Sequence, residues 1–294
     1  MTSFPSLDEK EALSYLWPPF GQDAPSLSLF RSSILDFYAH HGRRFAWRNT
    51  CDPYRILLSE VMLQQTQTSR VEPKYELFLS LWPDFSSLAN APLDELLFHW
   101  KGLGYNRRAL NFRKSALLTE QWGWTIPPDE MAISRLPGVG KATTAALLAF
   151  SYQKKSLYLE TNIRRVLLTC FYPEAEQVKD KELEKLLALL VADVEDTKSW
   201  YYALMDYGVL LKALLPNANT RSAHYTKQSA FENSNRQIRG QLIHLLADTG
   251  PKERHQIVDI LSRFEQERIL SCLADLQKEG FVQEKEGVYR IPKA

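Results

Sequence analysis

Three residues stand out for the chemistry they could do: Glu60, Glu160 and Asn162. Glu60 lies in Ser59-Glu60-Val61-Met62-Leu63, a carboxylate inside an apolar helical run. Burying such a group without a partner is costly, and desolvation lifts its pKa toward that of a useful general acid. Glu160 sits in Leu159-Glu160-Thr161-Asn162, where the amide can hold the carboxylate or a sugar by hydrogen bonds. Taken singly, each acid is equally well explained as a surface glutamate, a loop residue or a cap. Together they suit N-glycosidic cleavage: one protonates the leaving base, and the other stabilises or traps an oxocarbenium-like sugar.

The residues around them fit a nucleic-acid substrate. Gln64, Gln65 and Thr66 open a polar run, QQTQTS, directly after the helix of Glu60. Such side chains contact bases and sugars, and a glutamine could fill the gap left by an extruded nucleotide. Leu103, Gly104, Tyr105 and Asn106 belong to a Gly-rich, basic turn, KGLGYNRR, that suits a loop pressed on DNA with Leu103 or Tyr105 as a wedge. Gly138, Val139, Gly140 and Lys141 form a second glycine turn before a helix. There backbone N–H groups, the helix dipole and a lysine converge, which suits a phosphate. Each of these stretches also has a plain reading, as a polar helix end, a solvated turn or a joint between helices.

The elements that must position these groups are helical. Apolar spacing predicts helices over 26–41, 71–81, 92–100, 107–121 and 201–215, with another starting at Asp52-Pro53, and no period-two strand precedes residue 280. Residues 1–25, with four prolines and a glycine, read as a loose lead-in, and the polar stretch 216–234 reads as a connector. Beyond it, three short helices over 235–250, 251–261 and 265–280 precede an alternating FVQEKEGVYRIP hairpin. That is the pattern of a winged helix-turn-helix, whose third helix is the candidate groove reader. Its acids and bases balance, so DNA contact and protein contact both stand.

Composition narrows the class. The chain has 294 residues, 45% of them apolar and 24% charged, enough for two domains. The net charge of +1 excludes a polybasic protein but not a local basic groove. The three cysteines, Cys51, Cys170 and Cys272, are too scattered for a metal knuckle, so no metal site is expected. No apolar run reaches the ~20 residues of a membrane helix. A cytoplasmic, nucleoid-associated, monomeric protein without membrane contact is expected.

SEVMLQQTQ, APLDELL, KGLGYNRRALN, LPGVG, LETNIRRVL and MDYG occur in the order and spacing of the MutY-type adenine DNA glycosylases, so residues 26–212 resemble that family. The resemblance implies a mainly α fold: a two-lobed helix-hairpin-helix glycosylase domain over 26–215, with its hairpin near 134–150. The small α+β winged helix at 235–294 comes after it. It implies that Glu60 protonates the leaving base, that Arg43 and Arg48 support the active site, and that the partner is duplex DNA carrying a lesion or mispair. The expected activity is monofunctional base excision, most naturally of adenine opposite 8-oxoguanine or guanine. A glycosylase for another base, or a non-catalytic lesion binder, are the alternatives. The chain departs from the family at several places. Glu160 stands at the catalytic aspartate. Ala142 stands where endonuclease III relatives carry their Schiff-base lysine, which disfavours lyase chemistry. Asn106 replaces an aromatic. The cysteines of an iron–sulfur cluster are missing after MDYG, so no cofactor is expected.

Overall fold

The computed structural model describes residues 7–223, 225 and 231–292. In chain order the helices are α1 (Glu9–Ser14), α2 (Ala24–His41), α3 (Pro53–Leu63), α4 (Thr68–Leu81), α5 (Phe85–Ala89), α6 (Leu93–Trp100), α7 (Arg107–Leu118), α8 (Glu130–Ser134), α9 (Lys141–Tyr152), α10 (Thr161–Phe171), α11 (Asp180–Ala192) and α12 (Thr197–Leu214). The C-terminal elements are α13 (Asn235–Thr249), β1 (Lys252–Glu253), α14 (Arg254–Ile260), α15 (Gln266–Lys278), β2 (Gln283–Lys285) and β3 (Val288–Arg290). The expected mainly helical fold with a small C-terminal sheet is thus observed.

The chain forms two compact units, and neither is continuous in sequence. One takes the chain up to Asp52, Pro128–Ser134 and the stretch from Val139 into the connector; the other takes Pro53–Pro127, Arg135–Gly138 and the C-terminal stretch. Parts of the connector, 224 and 226–230, lie outside the described residues, as do 1–6 of the lead-in.

In the first unit α12 is the central helix. It buries Trp200, Tyr201, Leu204, Tyr207 and Leu210 and packs on α2, α9 and α10. Gly208 permits its approach to α10: a Cβ there would lie 2.5 Å from the backbone oxygen of Asn162. Residues 8–25, expected as a loose lead-in, are ordered against this helix. Asp8 caps α1, Trp17 stacks on Tyr207 with ring centroids 4.7 Å apart, and Phe20 meets Phe30 edge-on. The prolines there shape a segment whose aromatics are its anchors, and burial of such rings outweighs the missing helical periodicity.

In the second unit α3, α5 and α7 pack together, and α6 carries α13 of the C-terminal part. The sheet has three antiparallel strands in the order β1-β3-β2, not the two of a simple hairpin. Tyr289 of β3 pairs with Lys252 on one side and Glu284 on the other. Two residues of β1 leave no alternation to detect, so the sequence pattern gives no sign of it. Glu286 and Gly287, both left-handed at φ 56° and 80°, make the tight turn between β2 and β3.

Candidate functional site

In the first unit Glu160 is the N-cap of α10. Its carboxylate accepts from the backbone N–H groups of Asn162 (2.7 Å) and Ile163 (2.9 Å), and from Asn162 Nδ2 at 3.3 Å. Asn162 is itself fixed, because Arg165 Nη1 donates to its Oδ1 at 3.0 Å and to the Gly208 carbonyl at 3.1 Å. Glu160 keeps only a partial surface. Desolvation pushes its pKa up, against the pull of the two amides and of Arg165 and Arg164. Two of the three residues singled out in sequence, Glu160 and Asn162, are thus brought together, and Arg165 is a member that the sequence did not suggest.

Arg43 and Arg48, carried over as supporting residues, converge on one acid. Asp206 Oδ1 and Oδ2, fully buried, accept from Arg43 Nε at 2.7 Å, Arg43 N at 2.7 Å, and Arg48 Nη1 and Nη2 at 2.7 and 2.8 Å. Arg48 also lies over the Tyr202 ring at 4.4 Å. Burial works to lower the Arg48 pKa, but the bond and charge of Asp206 outweigh it and the net shift is upward. The aspartate of MDYG is the hub, and only the three-dimensional contact shows it.

The glycine turn leads directly into α9. Gly138 has φ 78°, and a Cβ on it would crowd Asn111 Nδ2 at 2.9 Å. Gly140 is the N-cap of α9 at an ordinary φ of −95°, and a Cβ there would meet nothing within 4 Å, so ligand has room to approach. Val139 is buried, so its backbone rather than its side chain is available. Lys141 pairs with Glu184 at 2.5 Å on the surface, and Ala142 beside it is exposed.

In the second unit Glu60 lies in the last turn of α3 and is partly buried. Arg108 organises the end of that helix and the segment beyond. Its guanidinium donates to the carbonyls of Val61 (2.7 Å), Met62 (2.9 Å), Leu103 (2.7 Å) and Gly104 (2.9 Å), and to Thr66 Oγ1 (3.0 Å). Thr66 Oγ1 also reaches the Leu103 carbonyl at 3.0 Å. The end of α3, Gln64–Thr66 and Leu103–Asn106 are therefore one assembly. Burial lowers the Arg108 pKa to about 10, which still leaves it cationic at neutral pH. Of the two wedge candidates, Leu103 is only 4% exposed, drawn in by the clamp on its carbonyl, whereas Tyr105 keeps surface and a left-handed φ of 48°. As a wedge, Leu103 is a correction to the sequence expectation. Asn106 is also buried.

Residues 58–192 match the family model of the HhH-GPD superfamily of base excision DNA repair proteins. Over 250 residues the chain is 31% identical to an adenine DNA glycosylase of Mycolicibacterium smegmatis, covering 79% of this chain and 85% of that protein. The chain belongs to the HhH-GPD superfamily. It is 36% identical over 188 residues to an adenine DNA glycosylase of Buchnera aphidicola subsp. Baizongia pistaciae, covering 62% of this chain, and it spans only 53% of that relative's length. A solved thermostable thymine-DNA glycosylase superposes with a TM-score of 0.56 at 29% identity, over 63% of this chain and 88% of that one. Within this superfamily the MutY type implies an iron–sulfur cluster, and the residues here do not fit one. The chain has three cysteines, fewer than the four such a cluster takes: Cys51 is exposed, and Cys170 and Cys272 are buried in α10 and α15. Among the described residues no group of three or more His, Cys, Asp or Glu could hold a metal. Side chains tie the connector down where the motif would lie. Arg221 Nη1 and Nη2 donate to the carbonyls of Pro173 (2.8 Å) and Leu168 (3.1 Å), and Asn219 Nδ2 to that of Thr161 (3.1 Å). No helix among the described residues is long and apolar enough to cross a membrane.

Proposed function

We propose that this protein is a monofunctional DNA N-glycosylase of base excision repair that works without an iron–sulfur cluster, with adenine opposite 8-oxoguanine or guanine as its target. Glu60 donates a proton to the leaving base as the C1′–N bond breaks. Glu160 stabilises the sugar cation, Asn162 orients it, and water adds at C1′, its proton restoring Glu60. The observation that carries this reading is the Arg165–Asn162–Glu160 chain, which fixes a carboxylate at a helix N-terminus. Ala142 offers no amine for a Schiff base, which favours hydrolysis over lyase chemistry. The turn from Gly138 to Lys141 grips a backbone phosphate. The adenine glycosylases among the relatives support the choice of base.

A second reading has its own support. One similar solved structure is a thymine-DNA glycosylase, and Glu160 carries one more methylene than the family's aspartate. The same machinery would then excise another mispaired or modified base. Duplexes with a panel of central mispairs and lesions, incubated with the protein and treated with hot alkali, separate the readings. Strand breaks at adenine opposite 8-oxoguanine support the first reading, and breaks at another base support the second. Binding without breaks, or undiminished base release by Glu60→Gln, defeats the catalytic assignment.

A further inference from the structure

Glu160 works from the N-terminus of α10, so whatever holds the first turn of that helix holds the acid. Its Oε1 takes the amides of both Asn162 and Ile163, a grip that lasts only while those residues keep helical backbone. Helix ends fray unless something outside the helix holds them. For α10 that something is the connector.

The connector runs along α10 as a strap. Its short 3-10 turn, Ala218–Arg221, is started by Asn217, whose Oδ1 accepts from the Asn219 amide at 3.3 Å. Arg221 takes the far end of the helix, where its guanidinium donates to the carbonyls of Leu168, Tyr172 and Pro173. Beside it the strap pairs in parallel with Val178. The Val178 amide donates to the Arg221 carbonyl at 2.9 Å, and the Ala223 amide to the Val178 carbonyl at 3.0 Å. This end of α10 has a further anchor, because the Phe20 amide donates to the Cys170 carbonyl at 2.8 Å. Asn219 takes the near end. Its Nδ2 donates at 3.1 Å to the carbonyl of Thr161, the first residue of α10, which follows Glu160 directly. Thr161 and Leu168 are about 10 Å apart along the helix axis, so the strap spans most of its length.

Asn219 is an odd choice for a residue that only fills space. Its side chain is buried, and its Oδ1 finds no partner among the described residues. An orphaned buried acceptor is costly, and an apolar side chain of similar size would avoid that cost. What an apolar side chain could not supply is the donor to Thr161. That bond falls on the residue between Glu160 and Asn162. The Asn162 side chain reaches Glu160 Oε2 at 3.3 Å and is itself held by Arg165. The carboxylate is therefore steadied from two sides, by Arg165 through Asn162 and by the connector through Thr161.

We propose that Asn219 is a positioning residue for base excision: through the Thr161 carbonyl it keeps the first turn of α10 closed and so holds the Glu160 carboxylate in place. Arg221 fastens the strap and has no such part. This rests on the glycosylase reading above. Loss of Asn219 should release the acid. Loss of Arg221 should loosen the fold but leave the acid where it is, because the pairing with Val178 keeps the strap in register.

The test uses the full chain with Asn219→Leu, which keeps the bulk and removes the donor, and Asn219→Ala, which removes the donor without adding strain. Arg221→Ala is the control. Hydrogen exchange read by mass spectrometry should show the 161–164 amides of both Asn219 variants opening about tenfold faster than in the wild type, the equivalent of one lost hydrogen bond, with 168–171 unchanged. Arg221→Ala should give the reverse pattern and the larger fall in melting temperature. On the duplex from which the wild type releases a base fastest, single-turnover release should slow about tenfold or more in the Asn219 variants, with duplex affinity within about twofold of wild type. Arg221→Ala should stay within about twofold in both. First-turn exchange unchanged in both Asn219 variants overturns the proposal, and so does faster exchange without slower release. A loss of rate that follows melting temperature alike in the Asn219 and Arg221 variants overturns it too, since the strap would then be scaffold only. A wild type that releases no base from any duplex defeats the glycosylase reading alone, and the exchange comparison still decides whether Asn219 holds the Glu160 cap.

Discussion

Asp206→Asn is the sharpest test of how the first unit is held. The carboxylate has no exposed surface and accepts four bonds of 2.7–2.8 Å from Arg43 and Arg48. Those arginine side chains are only 14% and 5% exposed. Asparagine keeps the shape, so any packing contribution is retained. It removes the charge and turns one acceptor into a donor facing a guanidinium. Two buried cations are then left without their counter-charge, a change that costs about 3–5 kcal/mol. At about 2–4 °C per kcal/mol for a unit of this size, the melting temperature should fall by about 6–20 °C. Thermal unfolding followed by circular dichroism reads it directly. Stacking of Arg48 on Tyr202 survives the substitution and sets a floor. If Asp206→Asn lowered stability by less than about 1 kcal/mol, the cluster would be held by packing rather than by charge, and the reasoning from burial and geometry would fail.

The same contacts carry other expectations. Gly208→Ala places a Cβ 2.5 Å from the Asn162 carbonyl oxygen, so α10 must shift and carry Glu160 with it; single-turnover base release should drop by about a hundredfold. The folded Glu160 carboxyl has a raised pKa, so above the unfolded value of about 4.3 the native state holds its proton longer than the unfolded chain does. Wild-type stability relative to Glu160→Gln should therefore fall as pH rises from below that value through the raised one. Denaturant titrations across the acid range that showed the opposite slope would contradict the burial argument. Arg108→Lys loses the fork that spans four carbonyls, and should cost about 2 kcal/mol and speed proteolysis near residues 102–106. Elemental analysis of purified protein should find no stoichiometric iron.

Much of the fold and the site is legible in the sequence because the motifs are local. Pro137–Lys141 dictates its own turn, and the run from Pro53 to Leu63 shows its helix by apolar spacing. The pairing of Glu160 with Asn162 is a two-residue step that a helix N-cap enforces. Features fixed by distant partners, or too short to have a period, escape such a reading. Asp206 meets Arg43 across 163 positions of chain, and nothing near either residue announces it. Arg108 reads as a surface base in a basic turn until the carbonyls of α3 are seen around it. The six residues of α1 and the two of β1 are shorter than the window in which a pattern can show. Leu103 reads as a wedge because its neighbours are polar and glycine-rich, yet its backbone is pulled inward.

The interleaving of the two units bears on how the protein is made. Pro53–Pro127 leaves the ribosome early, but α13, which packs on α6, comes from the last part of the chain. That unit therefore stays open at one side throughout synthesis of the intervening residues, with the apolar face of α6 waiting for its cover. A nonsense mutation anywhere before Asn235 would remove more than an accessory domain. It would strand a half-built unit, and chaperone dependence or aggregation, rather than a trimmed but soluble enzyme, is the expected fate of such a fragment.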